Sequence, residues 1–377
     1  MKVLQIYRTY FPDPPGGLQE AIRQICLSTQ PHGVESTVYT LSPDPVPARI
    51  RRPEGEVVRA KSWWAPASCD LGLKDAIDLF SEEARKADVL HFQFPWPYAD
   101  LLNLLPAARG KPRIMTYQSD IVRQRLLGLA YQPLLRHTLA AMDAVVATSP
   151  NYAASSRVLT GLVPQAKLRV IPLAIQDRSE AQRQSASTGI CERLGVQPGN
   201  FVLSLGVLRY YKGLHTLVSA AGRIEAPVVI AGSGPEADRL MAQARDSGGK
   251  VVFAGQVTDE EKDELLQACS VFAFPSHLRS EAFGMVLVEA SMFATPMVTC
   301  DIGSGMSYVN KSGETGLSVQ PQCPDELGEA INRIMADKKL AQEMGAAARK
   351  RYELLFSSEA LGRAYASLYR ELLNKRI

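Results

Sequence analysis

The chain of 377 residues is 46% apolar, enough to fill two ordinary cores, and no apolar run reaches the ~18 residues that cross a bilayer. Its net charge of +3 is too small to argue for nucleic acid, although it is uneven: 20 Lys and Arg against 15 Asp and Glu up to residue 175, then 22 against 24, which fits either an anion-facing first half or chance. Six cysteines without a CxxC pair or metal-ligand spacing argue for reduced thiols in a cytoplasmic protein, and the start, MKVLQIYRTYFPD, reads as a strand and not a signal peptide.

Short runs rich in Val, Ile and aromatics alternate with helical stretches, the rhythm of βαβ units and parallel sheets. In chain order the expected strands of the first half are Val3–Tyr7, Ser36–Thr40, Val89–Phe92, Arg113–Tyr117, Ala144–Thr148 and Leu168–Ile171, with helices over about 17–29, 130–142 and 150–157. A Ser/Gln-rich stretch from Pro172 to about Ser187 marks the domain junction. A second doubly wound set follows at Phe201–Leu205, Val228–Ala231, Val251–Ala254, Val271–Phe274 and Met297–Thr299. The expectation is therefore α/β, with two Rossmann-like parallel-sheet domains at 1–175 and 188–355 that face a central crevice. The tail, 356–377, carries Ala360, Leu361, Ala364, Tyr365, Leu368 and Leu372 at helical spacing, the face of a helix packing back on the first domain.

In such folds ligands meet the loops that follow strands. After the first strand, Gly16 and Gly17 precede a helix, where exposed N–H groups suit an anion, although glycines there also serve as steric relief. In GVLRYYKGLHTLV, Arg209 and Lys212 lie three apart before Gly213; a diphosphate-binding turn and a solvated basic turn fit this segment equally. In GSGPEA, Gly232, Gly234 and Ala237 satisfy GxGxxA, but no acid stands at the end of the next strand, where a dinucleotide ribose wants one, and Asp259 comes only further on.

The stretch RSEAFGMVLVEAS holds Glu281 in a loop and Glu289 inside an apolar helix that begins at Gly284. The N–H groups of Phe283, Gly284, Met285 and Val286 would offer a positive helix end to phosphate. Glu289 suits ribose hydroxyls and Glu281 those of a second sugar, which together describe a nucleotide sugar. A buried acid paired with a lysine or a backbone donor is the other reading of Glu289.

The set RYYKG, GSGP, GQVTDEE, SEAFGMVLVEA and GETGLSV, in this order and spacing, resembles the family 4 retaining glycosyltransferases of the GT-B fold, whose E-x7-E motif matches Glu281 and Glu289. YRTYFPDPPGGLQEAI, HFQFPWPYADLL and TYQSDIVRQ are similar to the amino-terminal domain of bacterial O-antigen mannosyl- and rhamnosyltransferases, so the likeness runs almost end to end. The resemblance implies that Glu281 and the backbone of Phe283, Gly284 and Met285 hold the donor sugar and its phosphate, Glu289 the ribose and Lys212 the diphosphate. Gly17 would let the first domain close on the donor, and Val257 would lie against the base. Two departures stand out. Val207 replaces an arginine common in relatives, a role that Arg209 would take over. Gln118 replaces the histidine of an HSD motif beside the reacting sugar, leaving only hydrogen bonding there. His91 is a further crevice residue whose place at a strand end also suits a structural role.

The implied enzyme transfers mannose or D-rhamnose from a GDP-sugar to a lipid-linked oligosaccharide, at the cytoplasmic face of the inner membrane, with no nucleic-acid partner. The leaving diphosphate would be steadied by Lys212, Arg209 and the helix end at Gly284, with no metal or other cofactor, in keeping with the lack of any Asp-x-Asp. Attack would be front-face, with Asp120 assisting. IVRQRLLGLAYQPLLRHTL sets Leu126, Leu127, Leu129, Leu134 and Leu135 beside Arg123, Arg125 and Arg136, which suits a membrane-surface segment or core packing equally. An NAD(P)-dependent oxidoreductase and a non-catalytic nucleotide-sugar binder are the alternatives.

Overall fold

A computed structural model describes residues 1–13, 16–65, 69–118 and 125–375, by backbone alone over 125–130. The chain divides into two units, Met1–Ala174 together with Ser358–Ile377, and Ile175–Ser357. The first is built on β1 (Lys2–Ile6), β2 (Glu35–Ser42), β3 (Arg49–Arg52), β4 (Gly55–Lys61), β5 (Val89–Phe94), β6 (Arg113–Tyr117), β7 (Ala144–Ala147) and β8 (Leu168–Val170), ordered β3-β4-β2-β1-β5-β6-β7-β8. Every neighbouring pair is parallel except β3 with β4. The second holds β9 (Val202–Leu205), β10 (Val228–Ala231), β11 (Val251–Gly255), β12 (Val271–Phe274), β13 (Met297–Cys300) and β14 (Gly316–Val319), ordered β11-β10-β9-β12-β13-β14 and parallel throughout.

The inner strands are buried along their whole length, β7, β9, β10, β12 and β13 among them. Helices cover both faces of such sheets, so their strands read as continuous apolar runs without alternation. The expected strands match these elements to within a residue or two. Outside the expected set lie β3, β4, β14 and the helix Lys74–Lys86. β3 reads RIRR with exposure alternating along it, an edge strand kept soluble by arginine. The helix expected at 130–142 spans Arg125–Ala141, and that at 150–157 is two short helices, Pro150–Ser155 and Arg157–Leu162.

The closing helix, Ser358–Asn374, lies in the first unit, where Leu361, Tyr365, Leu368, Tyr369 and Leu372 pack with Val3, Ile25, Val89 and Ile114. Gly362 makes this approach possible: a Cβ there would stand 1.9 Å from the Ser28 carbonyl oxygen.

Candidate active site

In the second sheet the strand order reverses between β9 and β12, paired at Val202 with Val271 and Leu203 with Phe272. The loops leaving the carboxyl ends of two such strands flank the ligand crevice of doubly wound folds. They are the loops of RYYKG and SEAFG. Gly213 holds them together: its φ of 67° suits glycine, and a Cβ would come within 2.0 Å of the Pro275 carbonyl oxygen.

Across this contact the Lys212 ammonium donates to Glu281 Oε2 at 2.5 Å, with both side chains largely buried at 13% and 12% exposure. The ammonium also lies 4.5 Å from the ring centre of Phe274 and 5.4 Å from that of Tyr211. Arg209 is exposed, and no acidic partner meets it among the described residues. Val207 is exposed as well.

Gly284, at φ 81°, caps the helix Met285–Met292, whose first N–H groups have no intrahelical acceptor. Met285 and Val286 are half-buried on this turn, while Phe283 is buried and meets Phe356 edge-on at 6.1 Å. The Phe283 ring is therefore committed to packing, and only its backbone is left for a ligand.

Glu289 lies in the second turn of this helix, its side chain largely buried at 14% exposure. Its Oε1 accepts from Lys262 Nζ at 2.8 Å and Arg178 Nη2 at 3.3 Å, so the reading as a paired acid describes what it meets here. Arg178 also grips Asp263 with two bonds of 2.7 and 2.9 Å, which with Glu289 hold the guanidinium above its ordinary pKa. Burial pulls Lys262 down, but Glu289 and Asp259 more than offset it and leave its pKa raised. Neither cation was found from sequence. Arg178 stands 111 residues from Glu289, beyond any local pattern, whereas Lys262 directly follows the quoted GQVTDEE.

The GxGxxA match has a steric cause. A Cβ on Gly232 would lie 2.1 Å from the Gly206 carbonyl oxygen, and one on Gly234 2.5 Å from that of Leu208. Leu208 N–H donates to Ser233 O at 2.9 Å and Glu236 N–H to Leu208 O at 3.1 Å. The two loops lie backbone on backbone, and the glycines set the height of the Arg209 turn. Val257 is half-buried just before Thr258, which caps the helix Asp259–Ala268.

In the first unit, Gly16 is the extended cap of the helix Gly17–Thr29, and a Cβ on Gly17 would meet nothing within 4 Å. Gln118 follows the carboxyl end of β6, its Nε2 donating to Gln93 Oε1 at 3.2 Å. His91 lies within β5, fully buried between Tyr369 Oη at 2.8 Å and Thr116 Oγ1 at 2.7 Å, away from solvent. Burial pushes its pKa down to about 3. Asp120 lies outside the described residues. Among those residues no group of three His, Cys, Asp or Glu side chains is placed to hold a metal ion, and no helix is long and apolar enough to cross a membrane.

Residues 16–174 match the glycosyl transferase 4-like domain, and residues 193–351 the group 1 glycosyl transferases. O-antigen chain mannosyltransferase C of Escherichia coli is 37% identical over 378 residues, covering all of both chains. D-rhamnosyltransferase WbpZ of Pseudomonas aeruginosa is 41% identical over 360 residues, 95% of this chain and 93% of that one.

The chain belongs to the family 4 glycosyltransferases. Solved structures agree on the fold of this glycosyltransferase. Sucrose-phosphate synthase of Thermosynechococcus elongatus aligns over 99% of both chains with a TM-score of 0.75 at 23% identity. HepE of Anabaena, in complex with UDP, aligns over 98% of this chain and all of that one with a TM-score of 0.78 at 18% identity. The glycosyltransferase has the GT-B fold, and its Gly232 loop needs no dinucleotide to explain it.

Proposed function

We propose that the enzyme moves mannose or D-rhamnose from a GDP-sugar to a lipid-linked saccharide in O-antigen synthesis, with retention at the anomeric carbon and without a resident metal. The full-length likeness to a mannosyl- and a rhamnosyltransferase supports the sugar and the pathway. The observation that carries the chemistry is the Lys212–Glu281 pair at the strand-order reversal, beside the helix that begins at Met285.

The barrier is departure of the diphosphate as positive charge grows on the sugar ring. Fixed donors directed at that leaving group stabilise the transition state more than the ground state. Lys212 is such a donor, already desolvated, and Glu281 holds it in place until phosphate oxygens replace the carboxylate. The exchange releases Glu281 to accept from sugar hydroxyls. Arg209, exposed on the same turn, adds a second cation, and the N–H groups of Gly284, Met285 and Val286 add dipoles. Glu289 has its second oxygen left for ribose hydroxyls, Val257 faces the base, and Gln118 meets a saccharide hydroxyl. In front-face attack the departing phosphate takes the acceptor proton.

Calorimetric titration with GDP-, UDP- and ADP-sugars tests the donor. Heat from GDP-mannose or GDP-D-rhamnose alone is the expected result, and binding restricted to UDP- or ADP-sugars overturns the base assignment. Membrane contact is tested by flotation with anionic liposomes. Leu135 already belongs to the core of the first unit, while Arg136 is exposed beside it.

A further inference from the structure

Glu289 is held from outside its own helix. Lys262 Nζ, on the helix Asp259–Ala268, and Arg178 Nη2 both donate to its Oε1, at 2.8 and 3.3 Å, while no described residue donates to its Oε2. Arg178 is in turn fixed by its bonds to Asp263 and by its backbone N–H, 3.3 Å from Met292 Sδ at the end of the helix Met285–Met292. Arg349 ties the flanking residues to that same end. Its guanidinium donates to Asp177 Oδ2 at 2.5 Å, to Ser179 Oγ at 2.9 Å and to the Met292 carbonyl at 2.7 Å. The stretch 177–179, just past the division of the chain at Ala174, thus braces the helix twice: at its end through Arg349 and on its flank through Arg178.

The torsion that sets the plane of a glutamate carboxylate is broad, and a long side chain loses rotamer freedom when it binds. Two donors on one oxygen remove that freedom within the protein itself and leave the other oxygen as the acceptor. Groups fixed in this way lose less on binding. The two donors differ in stiffness. Arg178 presents a planar fork clamped by Asp263, which is 5% exposed, whereas the Lys262 stem is flexible and shares its ammonium with the exposed Asp259 at 3.0 Å. Arg178 is the fixed point and Lys262 the second hold.

We infer that Arg178, with Lys262, is a positioning residue for the nucleotide: the pair hold Glu289 by one oxygen so that the other accepts from ribose hydroxyls, and the chain thereby selects ribose over deoxyribose. The inference rests on the reading above that Glu289 meets ribose. Were the cations competitors for the carboxylate instead, removing them would strengthen the ribose contact.

Calorimetric titration with GDP and with 2′,3′-dideoxy-GDP tests this without turnover. The ratio of the two dissociation constants isolates the ribose hydroxyls, because a change in the pull on the diphosphate acts on both nucleotides alike. In the native chain GDP binds about 10- to 100-fold tighter, the range for a hydrogen bond to a charged acceptor, and in Glu289→Ala the ratio falls close to one. A native ratio near one, or a ratio unchanged in Glu289→Ala, removes the ribose reading itself. With that reading in place, Lys262→Met lowers the ratio at least threefold and loss of Arg178 at least fivefold. Arg178→Met alone leaves Asp263 buried without its partner, so it is made together with Asp263→Leu, which replaces the ion pair as a whole. If that variant does not fold, Lys262→Met decides. Equal loss of affinity for both nucleotides is what a merely structural brace gives, and in either folded variant it overturns the proposal, as does a ratio that rises.

Discussion

Lys212 and Glu281 neutralise each other, so removing either leaves a largely buried charge without its paired partner. On the proposed reading, Lys212→Ala also removes a donor to the leaving group, and Glu281→Ala frees Lys212 to move and removes the acceptor proposed for sugar hydroxyls. Each is expected to lower turnover by at least ~100-fold, the range for loss of one preorganised charge-stabilising donor. Steady-state GDP release measures it, and near-native rates in either variant would refute the assignment. His91 belongs to the same scale. Its pKa is depressed from an ordinary value near 6.5 to about 3, so the folded state binds fewer protons than the unfolded. Stability from this group is full above about pH 6.5 and drains as pH falls toward 3, about 2 kcal/mol by pH 5. Denaturant titrations at pH 7 and 5 should show this loss in the native chain and a flatter profile in His91→Asn; parallel profiles would refute it. At this scale the sequence displayed the acid pair and the lysine because they sit in short strand-to-helix loops. It hid Arg178 and the His91 network, whose partners meet only through tertiary packing.

At the scale of elements, the site depends on two glycine loops as much as on charges. Gly234 lets GSGP lie on the backbone of Leu208, which fixes the turn carrying Arg209 and Lys212. A methyl group at Gly234 meets backbone and not a movable side chain, so the loop must shift. Gly234→Ala is expected to cost about 1–3 kcal/mol, the range for overpacking, and to weaken GDP binding. Gly17→Ala, which enters open space at a helix start, should be neutral or stabilising by about 0.5–1 kcal/mol. Denaturant unfolding of the two variants checks both, and equal effects would sink the distinction. The same contrast explains what the pattern GxGxxA concealed. Glycines needed for close backbone approach look alike in sequence whether a cofactor or another loop comes near. β3 escaped notice for a related reason: RIRR lacks the apolar run that marks a central strand, because an edge strand is defined by its neighbour β4 and not by burial.

At the scale of the molecule, the second half of the chain encloses its own sheet and core, whereas the first unit is completed by residues from the far end of the sequence. Leu361, Tyr365, Leu368, Tyr369 and Leu372 are all at most 4% exposed against β1, β5 and β6 and the helix Gly17–Thr29. Burial of such side chains is worth about 1.5–3 kcal/mol each. Five of them come to about 7.5–15 kcal/mol, comparable to the ~5–15 kcal/mol by which a whole domain is stable. A chain ending at Ser357 should therefore lose the ordered first unit while Ile175–Ser357 keeps its fold. Limited proteolysis followed by mass spectrometry would then show cleavage throughout Met1–Ala174 and a resistant fragment starting near Ile175. Because Lys212, Glu281, Glu289 and the helix Met285–Met292 all lie in that fragment, it should still give a heat of binding with GDP. Protection of the first unit equal to that in the intact chain would show that the closing helix is dispensable. Loss of the resistant fragment would show that the second unit does not stand alone.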